Sequence, residues 1–246
     1  AAAEIREWLD DTVAQLREGA PRRVLEIGMG SGMILFALAP ACDEYLGLDL
    51  SAAAVETVRR VAAERDLQAV RARQAEAGDF GDIAPGSFDL TVINSVIQYF
   101  SGPEHLERVL RGAIAATAPG GRVFVGDVRS LALLPVYHAS VQFHRAAGDV
   151  TRVELATRVQ RALAREEELV VDPGFFEALV AKEPALTAVE FRVRVGSAVN
   201  ELTKFRYDVV LHVGPSRVAG AAASAGRYVL SAPVAESLAR DGQVLA

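Results

Sequence analysis

Apolar positions along the chain recur with two periods, and the switches between them divide it into elements. Between residues 4 and 18, Ile5, Trp8, Leu9, Val13 and Leu16 fall near one helical face, and Gly19 and Pro21 end the segment. A short apolar run over residues 23–27 predicts a strand that empties into a glycine-rich turn, followed by a helix over 33–38. The rhythm returns with a strand over 45–50, a helix over 51–66 with Ser51 as its N-cap, and a short segment at 70–75. The turn Pro85-Gly86-Ser87 precedes a strand over 88–94, a helix over 103–116 follows, and Pro119-Gly120-Gly121 leads into a strand over 122–128. Strands alternating with helices at this interval predict an α/β fold, a mostly parallel sheet with helices on both faces.

After Asp127 the rhythm changes. Residues 131–147 and 151–168 read as helices without a strand between them, and a further helix runs from Pro173 to about residue 181. We expect a helical lid, about residues 131–183, over the carboxyl edge of the sheet. Alternating runs over 189–195 and 205–213 read as an antiparallel pair that completes seven strands, the final one antiparallel. The expected division is an N-terminal helix (1–21), one α/β domain (22–214) and a linker or loosely attached segment rich in Ala, Ser and Gly (215–246). There is no internal repeat.

Composition narrows the function classes. With 51% hydrophobic and 24% charged residues, an ordered globular chain is expected. The formal charge of -6 argues against a general nucleic-acid binder, which needs positive surface to displace phosphate counterions. Cys42 is the single cysteine, so an intrachain disulfide and a cysteine zinc cluster are both excluded. His138 and His144 are not spaced as an i, i+4 ligand pair, and no metal is expected. No apolar run reaches the roughly 18 residues of a membrane span, and residues 4–11 are acidic rather than signal-like. A soluble, cytoplasmic protein is expected.

The stretch carrying most chemistry is Glu26-Ile27-Gly28-Met29-Gly30-Ser31-Gly32, a strand running into alternating glycines before a helix. Missing side chains let the backbone turn sharply and bring amides against a ligand, so Gly28, Gly30 and Gly32 read as a cofactor cradle. A dinucleotide fingerprint wants Gly or Ala where Met33 stands, and a phosphate loop wants a lysine that is absent. Glu26 repels a pyrophosphate yet suits a ligand bearing an ammonium and a sulfonium, which moves the reading toward S-adenosylmethionine. In the next strand Gly47-Leu48-Asp49-Leu50 places Asp49 to accept from both hydroxyls of a ribose, with Leu50 beside it. Asp79 and Phe80, ahead of the fourth strand, suit an adenine ring. Asn94, Ser95, Gln98 and Tyr99 follow that strand and border the same crevice.

The run Val24-Leu25-Glu26-Ile27-Gly28-Met29-Gly30-Ser31-Gly32 resembles the first motif of class I methyltransferases, and Pro119-Gly120-Gly121 resembles the turn before their fifth strand. Asn94-Ser95-Val96-Ile97-Gln98-Tyr99-Phe100, Gly126-Asp127-Val128-Arg129-Ser130, Val171-Asp172-Pro173-Gly174-Phe175-Phe176 and Asn200-Glu201-Leu202-Thr203-Lys204-Phe205-Arg206-Tyr207 are similar to the methyltransferase domains embedded in nonribosomal peptide synthetases. The resemblance covers about residues 4–213. It implies a Rossmann-like fold and methylation of an aminoacyl or peptidyl group held as a thioester on a peptidyl carrier protein, most often at the backbone nitrogen. Neighbouring synthetase domains are the other implied partners, and sister domains methylate carbon or oxygen.

Methyl transfer from a sulfonium is an in-line displacement, so alignment and exclusion of water weigh more than a strong acid or base. An amine must still be neutral when it attacks. The candidates on the far side of the crevice are Asn200 to orient the substrate carbonyl, Glu201 as general base or ammonium anchor, Tyr207 and Arg129. Glu201 also reads as an exposed loop acid, and Arg129 as a scaffold partner of Asp127. His138 reads as packing or as a border of the substrate entrance, and Glu166-Glu167-Glu168 as a solvated helix end. An NAD-dependent oxidoreductase and a noncatalytic module are the rival readings.

Overall fold

The computed structural model describes residues 2–194, 200–214 and 227–230. Its helices are α1 (Ala2–Arg17), α2 (Met33–Leu38), α3 (Ala52–Glu64), α4 (Pro103–Ala116), α5 (Leu134–His144), α6 (Arg152–Leu163), α7 (Pro173–Lys182) and α8 (Glu201–Lys204). Its strands are β1 (Arg23–Ile27), β2 (Glu44–Asp49), β3 (Val70–Gln74), β4 (Phe88–Asn94), β5 (Thr117–Arg129), β6 (Leu186–Val193), β7 (Arg206–Val213) and β8 (Arg227–Leu230). They form one sheet in the order β3-β2-β1-β4-β5-β7-β6-β8. Among the described strands only β7 runs antiparallel, to β5 and β6 on either side. β8, inside the stretch expected to be a linker, adds a parallel edge strand beside β6.

The order reverses between β1 and β4, and the crevice above that switch point is where an open α/β sheet places its ligands. Central strands read as near-continuous apolar runs because both faces are covered, and β1 and β4 are buried nearly throughout. Alternate side chains feed two cores. Val24, Leu90, Val92 and Phe124 pack with Leu16 of α1, Leu35 of α2 and Val58 of α3. Leu25, Ile27, Ile93 and Val125 pack with Leu106 and Leu110 of α4 and Phe176 of α7. Ser51 caps α3 through a bond from the Ala54 amide (3.3 Å).

Two further elements differ from the sequence expectation. β5 starts at Thr117, before the expected turn, and absorbs Pro119-Gly120-Gly121 as an irregularity of its pairing with β4, with Gly120 at φ +87°. α7 is not part of an outer layer, because Phe176, Leu179 and Val180 are buried in the core. α5 and α6 carry no buried residue and form the outer helical pair. No described helix is long and apolar enough to cross a membrane.

Candidate active site

The turn after β1 is built by positive φ at Gly28 (+77°), Gly30 (+53°) and Gly32 (+80°), which a side chain strains. Space divides the three. A Cβ at Gly28 would lie 2.2 Å from Val96 and one at Gly32 2.8 Å from Phe36, whereas one at Gly30 meets nothing within 4 Å. Gly28 and Gly32 therefore serve close packing, and Gly30 faces open space. Their amides differ from the expected cradle. The Gly28 amide donates to Leu48 O (2.7 Å), that of Gly32 to Met29 O (2.9 Å) and that of Gly30 to Asp49 Oδ2 (2.8 Å). The amides of all three glycines are thus engaged within the protein.

Asp49 also accepts from the Ser51 amide at 2.8 Å, so it braces the turn, while each oxygen retains a second lone pair for a diol. Leu50 beside it is 68% exposed, an apolar flank suited to a flat ring. Glu26 corrects the electrostatic expectation. It is buried, accepts from the Tyr45 hydroxyl at 2.7 Å, and desolvation raises its carboxyl to about 8, so it is largely neutral at neutral pH.

Asp79 is exposed, as an adenine contact requires, but Phe80 is not available to stack. Its ring packs on α4 so closely that a Cβ at Gly112 would meet it at 2.0 Å. Beyond β4, Asn94 and Gln98 are buried, Ser95 is half-buried at φ +56°, and Tyr99 is 74% exposed. The contact of Val96 with Gly28 sets this segment directly against the glycine turn.

On the other side, β5 bulges. Val125 pairs with Val209 and Val128 with Tyr207, so one extra residue is accommodated at Gly126-Asp127, with Asp127 at φ +66°. Asp127 accepts from Arg206 Nη1 (2.7 Å) and from Ser95 Oγ (2.8 Å), and its amide donates to Asp208 Oδ1 (2.7 Å). Arg206 extends its other terminal nitrogen to Glu201, which also accepts from the Tyr137 hydroxyl at 3.4 Å. Arg129 does not pair with Asp127. It forks onto Glu166 at 2.8 and 2.9 Å, meets Glu168 at 2.9 Å and lies over the Tyr137 ring. Glu166 is thus no solvated helix end. Arg129 holds its carboxyl down to about 2, and His138 Nε2 stands 3.0 Å away.

Two candidates have structural duties instead. Asn200 caps α8, its Oδ1 accepting from the amides of Leu202 (2.9 Å) and Thr203 (3.3 Å), which leaves that oxygen committed. Tyr207 is buried and donates to Val171 O at 3.0 Å, tying β7 to the start of α7. Asp127, Arg206 and Tyr137 were missed as site residues. A bulge and a positive φ leave no mark in the one-dimensional pattern, although Asp127 and Arg206 both lie within motifs already singled out. Between Arg129, Tyr137, Glu201, Phe205 and Arg206 lies a cavity of ≈ 10 Å³, room for about one water.

The crevice therefore has an adenosine-compatible half over β1 and β2 and a charged half over β4, β5 and β7. A family model described as a methyltransferase domain matches residues 25–123. The chain is 45% identical over 214 residues to chondramide synthase cmdD of Chondromyces crocatus, covering 87% of this chain and 6% of the relative. It is 39% identical over 219 residues to enniatin synthase of Fusarium equiseti, covering 85% and 7%. The chain thus spans under a tenth of the length of these curated relatives. The solved N-methyltransferase NodS of Bradyrhizobium japonicum shares the fold at TM-score 0.54 and 18% identity, covering 85% of this chain and 96% of that one.

Proposed function

The chain belongs to the methyltransferase domains of the kind found within nonribosomal peptide synthetases, and from that premise we propose that it transfers a methyl group from S-adenosylmethionine to the backbone amine of an aminoacyl or peptidyl thioester borne by a peptidyl carrier protein. The observation carrying this reading is the junction of two half-sites. An open glycine turn braced by Asp49 lies against a buried polar cluster at the ends of β4 and β5. The residues present fit the cofactor. Gly30 leaves room for its amino-acid end, Asp49 for its ribose, Leu50 and the exposed Asp79 for its base, and Tyr99 can close over it. Glu26 lies beneath the turn and regains its charge beside a cation.

When bound, the cofactor supplies an electrophilic methyl, which the amine lone pair takes as the carbon–sulfur bond breaks and the sulfonium becomes a thioether. The chain's own work is binding, alignment and proton management. Glu201, paired with Arg206 and 42% exposed on its side chain, sits where an incoming ammonium is held and relieved of a proton to solvent. Tyr137 steadies that carboxylate, and Arg129 fixes the Tyr137 ring through the Glu166 pair.

Calorimetric titration with S-adenosylmethionine and with NAD tests the cofactor, with binding of the first alone expected. Mass spectrometry of a loaded carrier protein, fragmented to locate the added methyl, tests the acceptor. Methylation at carbon or oxygen would overturn the nitrogen assignment. Glu201→Gln is expected to lower kcat/KM about 10²-fold, most strongly at low pH where the amine arrives protonated. A pH-independent loss would deny Glu201 a role in proton removal.

A further inference from the structure

The hydrogen bonds around Ser95 have a direction that chemistry dictates. Asp127, ion-paired to Arg206, is a carboxylate and can only accept, so the Ser95 hydroxyl donates to its Oδ2. Its proton spent, Ser95 Oγ accepts, and Asn94 must turn Nδ2 toward it, at 3.1 Å. The Ser95 carbonyl likewise accepts from Gln98 Nε2 at 3.0 Å. Each of the three groups is left with its second atom unused, and in every case that atom is an oxygen. Asn94 Oδ1, Gln98 Oε1 and Asp127 Oδ1 are buried and have no hydrogen-bond partner among the described residues.

Three buried acceptors without donors are costly, and folded proteins keep few of them. All three residues are tied to Ser95, and Asn94 Oδ1 lies over Gly126, where a Cβ would meet it at 2.0 Å. Ser95 and Asp127 both hold positive φ, and Asp127 sits in the bulge that turns its side chain out of the β5–β7 register. The cluster lies next to Val96, which touches the glycine turn, so it occupies the side of the crevice facing the methyl donor. The buried donor left open close by, Arg206 Nε, belongs to the guanidinium that binds Asp127 and suits a carbonyl.

We infer that Asn94, Gln98 and Asp127 form an N–H recognition cluster that grips the nucleophilic nitrogen of the acceptor and makes the chain choose nitrogen over oxygen or carbon. A primary amine brings two N–H donors to three acceptors and keeps its lone pair for the methyl. The amine thus pairs two of the three oxygens, a hydroxyl only one and a carbon nucleophile none, and each buried oxygen left unpaired counts against the poorer donor, the arrangement by which polar sites reject a near-isostere. Arg206 Nε then serves the thioester carbonyl beside the amine. Asn94 and Gln98, expected from sequence among the cofactor contacts, become acceptor contacts whose loss spares cofactor affinity. The inference rests on the methyltransferase reading and adds the choice of nucleophile to it.

The test offers the chain a panel of aminoacyl-pantetheine thioesters with S-adenosylmethionine, then pairs the best of them with its 2-hydroxyacyl counterpart. Wild type is expected to favour the amine about a hundredfold or more in kcat/KM. Gln98→Met and Asn94→Ala are each expected to narrow that ratio about tenfold. Both should weaken binding of the aminoacyl thioester to the S-adenosylhomocysteine-loaded chain, read by calorimetry without turnover, while S-adenosylhomocysteine affinity stays within about twofold. A wild-type chain that binds S-adenosylhomocysteine but treats amine and alcohol alike overturns the inference alone, and so do variants that lose S-adenosylhomocysteine affinity in step. A wild-type chain that binds no S-adenosylhomocysteine overturns the methyltransferase reading and the inference together. The wild-type comparison needs no variant, so a substitution that fails to fold leaves the decision intact.

Discussion

Single residues at the glycine turn separate packing from ligand binding. Gly28→Ala forces a Cβ onto Val96 in a left-handed conformation, and we predict a stability loss of roughly 2–4 kcal/mol by denaturant unfolding. A Cβ at Gly30 meets nothing within 4 Å, so Gly30→Val strains the left-handed backbone without a clash at Cβ and fills the open side of the turn; the expected result is lost S-adenosylmethionine affinity with a smaller fall in stability than at Gly28, measured by calorimetry and melting on one sample. Equal effects of the two on binding would move the cofactor elsewhere. Glu26 makes a pH prediction. Its carboxyl is raised in the fold from 4.5 to about 8, so the stability it contributes is complete below pH 4.5 and is lost as pH rises through 8. Glu26→Gln should flatten stability between pH 4.5 and 8. The glycines and Asp49 were legible in sequence because strand, turn and acid are local, whereas the protonation of Glu26 depends on burial under Tyr45 and was not.

At the scale of elements, the outer helical pair is held by charge. α5 and α6 bury no side chain of their own, yet Glu166, just after α6, joins Arg129 at the end of β5 to His138 on α5. The Glu166 carboxyl is lowered from 4.5 to about 2, so its contribution is present above pH 4.5 and is lost as pH falls through 2. Glu166→Gln is expected to cost roughly 1–2 kcal/mol at neutral pH, to remove the acid-side loss, and to speed hydrogen exchange in α5 and α6 before the sheet is affected. Uniform exchange across the chain would deny the latch. The helical periodicity of both segments was readable, but an acidic triplet reads as solvated unless its partner is known, and Arg129 lies 37 positions away along the chain.

For the whole molecule, a ligand that binds only the folded state raises stability by mass action, about 2.7 kcal/mol at a hundredfold excess over Kd. For a chain of this length that corresponds to a rise of roughly 5–10 °C in Tm, expected with S-adenosylmethionine and not with NAD. An equal rise with NAD would favour the oxidoreductase reading. The α/β class, the parallel strands up to β5 and the glycine turn with Asp49 after the next strand follow from patterns a few residues long, since apolar period, turn chemistry and a strand–glycine–helix junction are local properties. The strand at Arg227–Leu230, the burial of α7 and the charged cluster at the ends of β4, β5 and β7 do not. Asp127, Arg206, Glu201 and Tyr137 come from β5, β7, α8 and α5, and only sheet order and one bulge bring them together. Local sequence determined which side chains the carboxyl edge would carry. Tertiary packing decided which were spent on capping and ion pairs and which were left facing the crevice, because hydrogen-bond capacity is settled between neighbours in space rather than along the chain.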